Sequence, residues 1–86
     1  MLYVGWDESG TIDADTEGPW VDLFVLRPGL TLIDSTDSLS VVYHALKHHC
    51  PPGTGVLVAP LADDPKLSRL APGATKWLRQ RGGSRP

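Results

Sequence analysis

His44 and His48 carry the first candidate chemistry in this 86-residue chain. Their spacing of four places both imidazoles on one side of a helix, where they could share a transition-metal ion, and Cys50 follows closely as a third donor. No glutamate lies between them as in a metalloprotease helix, and a rotation of roughly 100° per residue turns Cys50 away from the pair. The alternative is that both histidines belong to a solvated helical face.

Basic side chains form the second candidate group. Residues 38–86 hold seven of the eight Lys and Arg residues, whereas residues 1–37 hold eight of the ten Asp and Glu residues. Basic side chains in one region of a chain can contact phosphates, and the candidates for nucleic-acid binding are Lys66, Arg69, Lys76, Arg79 and Arg81. The alternatives are favourable charge placement at a helix end, or a fold that interleaves the two halves and removes the asymmetry.

Large aromatic side chains are the third candidate group. Trp6, Trp20 and Phe24 occur in or next to β-rich segments and could anchor a dimer or a protein partner, because buried aromatic residues dominate interface energy. The alternative for each of them is a place in the core of the domain.

The elements that must position these residues follow from the apolar patterns. Strand-forming runs predict the strands, Ser38 or Asp37 and Pro51 mark the ends of one helix, and a proline begins a final helical segment. The predicted order is strand 2–6, loop 8–19, strands 20–26 and 30–34, a helix from about 38 to 49, strand 56–59, and a short helix 72–80. The acidic loop is expected to be mobile.

Two connections refine the arrangement of the predicted strands. Arg27, Pro28 and Gly29 form a tight turn, which predicts that the strands on either side pair antiparallel. The run from Val56 to Ala59 is continuously apolar and suits a strand that is buried on both faces, while Pro60 after it indicates a sheet edge or the end of the strand.

This element order predicts an α+β domain of the ferredoxin-like, split β-α-β type, with the first helix shortened or replaced by a loop and with a short C-terminal helix. Residues 1–81 are expected to form one domain and residues 82–86 a disordered tail. A sheet with a helix on one face needs cover on the other face, so we expect a face-to-face homodimer.

The segments LYVGWD, LTLIDSTDSLSVVYHALKHH, VLVAPL and LAPGATKWLRQR together resemble the small, dimeric, ferredoxin-like CRISPR adaptation subunit and its stand-alone relatives. The resemblance implies that Asp7, which closes the first strand, holds Mg²⁺ or Mn²⁺ at the dimer axis together with its symmetry mate, and activates a water for phosphodiester cleavage. Alternatively, Asp7 opens the turn DESG. The run VLVAPLADDP is also similar to other dimeric ferredoxin-like proteins, including small lactone isomerases.

No convincing catalytic set is present in the sequence, and the leading hypothesis is a small non-catalytic adaptor that acts as a dimer or within a larger assembly. The first alternative is a metal-dependent nuclease-like or nucleic-acid-binding protein that uses Asp7, and the second is a small-molecule-binding ferredoxin-like dimer. No cofactor is expected except Mg²⁺ or Mn²⁺ under the nuclease alternative. A single cysteine, the lack of a signal-peptide pattern and the lack of a long apolar run predict a cytoplasmic protein without membrane contact.

Overall fold

The computed structural model describes residues 1–81, so the expected disordered tail at 82–86 lies outside the described residues. Residues 1–81 form a small α+β domain with one four-stranded antiparallel sheet and two helices. No helix among them has the length and apolar character needed to cross a membrane. The elements are β1 (Leu2–Asp7), β2 (Asp22–Arg27), β3 (Leu30–Asp34), α1 (Leu39–His48), β4 (Val56–Pro60) and α2 (Ala74–Arg79).

The strands lie in the order β2-β3-β1-β4, and each neighbouring pair is antiparallel. The predicted hairpin between β2 and β3 is confirmed. Gly29 in its turn has φ +89°, and a Cβ atom there would lie 2.6 Å from the carbonyl oxygen of Asp7. The Asp7 N–H in turn donates to the Gly29 carbonyl at 2.9 Å. Only glycine fits both this backbone angle and the close approach of β1.

Helix α1 covers one face of the sheet. Ser38 caps it, since the Ser38 hydroxyl accepts from the Val41 N–H at 3.3 Å. Leu46 reaches β1 at Gly5, where a Cβ atom would lie 3.0 Å from Leu46 Cδ2 and 3.1 Å from Ile33 Cδ1. Gly5 is therefore the position at which the helix packs closely on the sheet.

The loop between β1 and β2 lies on the same face as α1. It contains no helix, in agreement with the expected replacement of a first helix by a loop. It is nevertheless anchored, because Ile12 is only 3% exposed and packs in one cluster with Val42 and Leu46 of α1. Trp20 packs against the same cluster. The sequence therefore missed a core residue within the acidic loop.

The opposite face is covered by the C-terminal part of the chain, which corrects the expectation that this face lacks cover. Trp77 and Leu78 of α2 are buried in a cluster with Leu2, Leu26 and Leu32 of the sheet, and Leu67 and Leu70 of the preceding segment pack against that cluster. The physical reason is that the thirteen residues of irregular chain between β4 and α2, residues 61–73, can bring a short helix back over the sheet, a path that apolar periodicity does not reveal. The stated reason for a face-to-face dimer is thereby removed.

Strand β4 lies at an edge of the sheet, which corrects the prediction that it is buried on both faces. Its only neighbour within the described residues is β1, and Leu57 remains 56% exposed. A continuous apolar run indicates strand character without specifying how many neighbours the strand has. Pro60 gave the correct indication of an edge.

We expect the substitution Thr31→Val to stabilise the protein or leave its stability unchanged. Thr31 is 1% exposed in β3, and its Oγ1 has no hydrogen-bond partner among residues 1–81. An isosteric methyl group removes the cost of an unsatisfied buried hydroxyl, so the free energy of unfolding should rise by up to about 1 kcal/mol. Urea denaturation measures this change. Thr31→Ala, which leaves a void, should be destabilising, and a clear loss of stability in Thr31→Val would contradict the assignment.

Candidate functional site

Asp7, the predicted metal ligand, is 2% exposed and closes β1. Its Oδ2 accepts three hydrogen bonds from the following turn: from the Ser9 hydroxyl at 2.8 Å, from the Gly10 N–H at 2.7 Å and from the Thr11 N–H at 3.2 Å. A carboxylate that accepts this many local donors organises its turn. The geometry within one chain favours this role, and metal binding by two symmetry-related Asp7 residues stays a prediction.

His44 and His48 are both exposed on α1, as the helical spacing predicted. They line a cavity of about 410 Å³ together with Cys50 and the turn that follows. The thiol of Cys50 donates to the Leu46 carbonyl at 3.4 Å. Within the described part of the chain, no three or more His, Cys, Asp or Glu residues are grouped so that they could hold a metal ion. The solvated-face interpretation fits this arrangement best.

The three aromatic interface candidates occupy different environments. Phe24 is half-buried and packs on Trp77 with 5.8 Å between ring centroids. Trp20 precedes β2, is half-buried, and donates from Nε1 to the Thr16 carbonyl at 3.0 Å. Trp6 is 44% exposed on β1. Of the three, Trp6 therefore has the accessible apolar surface that an interface requires.

Trp6 has an exposed neighbour that the sequence did not single out. Trp6 and Leu57 are cross-strand partners in β1 and β4, and they project from the face that α2 covers elsewhere. The helix reaches the β2 and β3 side of that face and leaves this corner open. Trp6 and Leu57 form what we call the corner patch, which lies beside the edge of β4. The only signal in the sequence was Pro60, which marks the edge.

The predicted basic interface separates into two parts. Lys66, Arg69, Lys76 and Arg79 are exposed, and they lie on the face opposite to α1 and to the acidic loop. The acidic loop and these four basic residues are therefore on opposite sides of the sheet. Arg81, by contrast, is the only basic residue of 1–81 that makes ion pairs, and its partners are Asp22 and Asp34.

Arg81 connects the end of α2 to the sheet. Asp22 and Asp34 face each other across β2 and β3, where two like charges would destabilise the pairing. The Arg81 Nη2 atom donates to Asp22 Oδ2, and its Nε lies 3.6 Å from Asp34 Oδ2. The guanidinium carbon also lies 4.5 Å from the centroid of the Trp77 ring. Arg81 is thus a structural residue, which its place in a basic run concealed.

These contacts set the titration of Asp22. Burial raises the pKa of Asp22, but hydrogen bonds from the Leu23 N–H and from Trp77 Nε1 favour the carboxylate, and the charge of Arg81 adds to them. The net result is that the pKa of Asp22 lies below its ordinary value. The ionised carboxylate is therefore the form that the fold prefers.

No family model, no curated protein and no solved structure matches this chain. The resemblance to the CRISPR adaptation subunit accordingly stays a prediction, as do the nuclease-like and small-molecule-binding alternatives.

We expect Asp7→Ala to destabilise the fold by about 2–3 kcal/mol, because it removes the shorter hydrogen bonds of the Gly10 and Thr11 N–H groups, removes the acceptor of the Ser9 hydroxyl and empties a buried position. Urea denaturation measures the loss. Asp13→Ala is the matched control, since Asp13 accepts from the Asp15 N–H at 2.9 Å in the same way but is exposed. Equal effects of the two substitutions would contradict the role assigned to Asp7.

We expect Arg81→Gln to lower the free energy of unfolding by about 1 kcal/mol at neutral pH, since it leaves two facing carboxylates without their cation. Because the pKa of Asp22 is depressed by folding, its contribution is present above the unfolded pKa of about 3.9 and is lost as the pH falls through the folded value. The difference between variant and wild type should therefore shrink on acidification below about pH 4. Urea titrations across this pH range measure the difference.

The control is Arg79→Gln, at an exposed position without an ion pair, which should lower the free energy of unfolding little at any of these pH values. A loss of stability in Arg81→Gln that does not depend on pH would contradict the role assigned to Arg81.

Proposed function

We propose that this protein is a small non-catalytic interaction module that self-associates through the free edge of β4 and the corner patch, Trp6 and Leu57. The observation that supports it is a sheet edge to which no other strand of residues 1–81 pairs, with two exposed large apolar side chains beside it. The proposal keeps the cytoplasmic location expected from the sequence.

The outward side of β4 offers backbone hydrogen-bonding groups. On its inner side, the Leu61 N–H donates to Leu2 and the carbonyl of Gly55 accepts from Glu8, each at 2.9 Å. Because backbone groups alternate between the two sides of an antiparallel strand, those of Val56, Val58 and Pro60 point away from β1. A partner strand could bond to these groups.

The two edges of the sheet differ in protection. The β2 edge begins and ends with charged residues, Asp22 and Arg27, and has an irregular register between Val25 and Arg27. The Ala71 N–H also donates to the Leu26 carbonyl there at 3.2 Å. Charges, bulges and covering segments are devices that block edge pairing. Strand β4, with the sequence VLVAP, carries no charge. The missing N–H of Pro60 is the one feature within this strand that hinders edge pairing.

A second copy fits this edge in one register. If two β4 strands pair antiparallel about Val58, the two Val58 residues exchange both backbone hydrogen bonds, and each Val56 N–H meets the carbonyl of Pro60 in the partner. Leu57 then faces Ala59 of the other copy, so a large exposed side chain meets a small one. The same contact occurs twice, as a two-fold interface requires. This self-complementarity favours a second copy over an unrelated strand.

The architecture is consistent with a ferredoxin-like assignment. The antiparallel order β2-β3-β1-β4 and the crossing of α1 between β3 and β4 support a split β-α-β sheet from which the first helix is absent. Pairing at the β4 edge would extend this sheet to eight strands across two copies. Fold analogy does not specify an activity, and the proposal rests on the edge and the corner patch.

We expect the wild-type protein to be a concentration-dependent dimer and Leu57→Glu to weaken dimerisation roughly 100-fold, because a symmetric interface loses the buried leucine twice. Sedimentation equilibrium over a concentration series measures the dissociation constant. Val21→Glu is the matched control: Val21 is 70% exposed and lies next to the opposite edge.

Hydrogen exchange provides an independent measurement of the same interface. The N–H groups of Val56 and Val58 should become protected as protein concentration rises, whereas that of Val21 should not change. A wild-type protein that stays monomeric throughout, or equal weakening by Leu57→Glu and Val21→Glu, would overturn the proposal.

A further inference from the structure

A cavity of about 450 Å³ opens between the segment 67–73 and α2. Its volume lies within the roughly 300–1,000 Å³ typical of small-molecule sites. None of the described residues that line it is acidic, and the polar ones are three basic and two hydroxyl side chains: Arg69, Lys76, Arg79, Ser68 and Thr75.

The positive charge of this cavity is uncompensated. The ion pairs within residues 1–81 all involve Arg81, so Arg69, Lys76 and Arg79 have no carboxylate within 4.0 Å in the described chain. Three cations around one cavity repel each other, and the acidic loop lies on the opposite face of the sheet. A bound anion would relieve this repulsion.

The wall of the cavity is held in place by the sheet. Arg69 has φ +60° and is the one residue other than glycine among 1–81 with a positive φ. This left-handed conformation is uncommon for a residue with a long side chain and needs support from its surroundings. Arg27 provides support by donating from Nη2 to the Arg69 carbonyl at 3.4 Å, and the Ala71 N–H donates to Leu26 at 3.2 Å. Arg69 is thus mounted on a segment anchored to β2, while Lys76 and Arg79 are mounted on α2.

We propose that this cavity binds the phosphate group of a small phosphomonoester. Guanidinium groups match phosphate oxygens with paired hydrogen bonds, a lysine adds a point charge, and hydroxyl groups of Ser68 and Thr75 can donate as well. Leu67, Leu70 and Pro72 also line the cavity and offer an apolar wall to the body of the ligand. The cavity adjoins β2, at the opposite side of the sheet from β4, so the site does not depend on the proposed dimer.

The probe for the test is phenyl phosphate, which combines a phosphate monoester with an apolar ring. Calorimetric titration of the full-length protein should show saturable binding, and amide chemical shifts should change at Ser68 and Thr75. Inorganic phosphate should compete, whereas phenol at the same concentration should not. The double variant Lys76→Gln/Arg79→Gln should bind at least roughly tenfold more weakly, since it loses two charge-assisted contacts.

Arg69→Asn tests the third cation without disturbing the backbone, because asparagine tolerates the left-handed conformation better than most residues. It should weaken binding while the urea midpoint stays close to that of the wild type. Lys47→Gln is the charge-matched control, since Lys47 is an exposed lysine on α1, which covers the other face. The Lys47→Gln variant should bind phenyl phosphate with the wild-type dissociation constant.

Three results would overturn the site. The first is the absence of chemical-shift changes up to about 10 mM phenyl phosphate, a concentration well beyond a millimolar dissociation constant. The second is equal weakening by Lys47→Gln, which would indicate a general charge effect. The third is an oligonucleotide that binds to this face and is not displaced by phenyl phosphate, which would indicate an open polyanion surface. None of these results bears on the proposed dimer at β4, which sedimentation equilibrium and hydrogen exchange test separately.

Discussion

Both faces of the four-stranded sheet are apolar, and the way in which a chain of this size covers them determines the rest of the structure. Helix α1, together with Ile12 and Trp20 from the acidic loop, covers one face. The segment after β4 and the short helix α2 cover the other. This second cover reaches β2, β3 and the start of β1 but stops short of Trp6 and Leu57. Within residues 1–81, this corner is therefore the part of the two-faced sheet that neither cover reaches.

The distribution of charge follows from the same arrangement. The covering segment on one face is acidic and the one on the other face is basic, so the asymmetry in the sequence becomes an asymmetry between two sides of the molecule. Arg81 is the exception, because its charge is used against Asp22 and Asp34. Arg69, Lys76 and Arg79 have no such partners in the described chain, and they frame the cavity beside α2. Contacts in the folded structure therefore separate the basic residue that stabilises the fold from those that have no acidic partner in the described chain.

Local features of the fold could be predicted from the sequence, because their causes are local. Ser38 caps α1 through its own first turn, and Gly29 lies in a tight turn between two strand-forming runs. Features that depend on distant residues could not be predicted. Gly5 is needed because Leu46 packs on it, and the apolar run of β4 did not reveal that β1 is its one partner among residues 1–81, an edge position that only Pro60 indicated. For the candidate site, the sequence identified the accessible Trp6 but not its partner Leu57, because the sequence of a single strand does not specify which residues it will pair with.

The central position of β1 constrains how the chain can fold. Both partners of this strand come later in the sequence: Leu2 pairs with Asp34, and Tyr3 pairs with Pro60. The hairpin of β2 and β3 is the one pairing between strands that are adjacent in sequence. The sheet therefore cannot assemble in chain order, and closing the two long loops around β1 costs more entropy than closing the hairpin. The hairpin can therefore form first, with β1 adding to β3, and with β4 adding to β1 together with α1, which packs on β4 and β1.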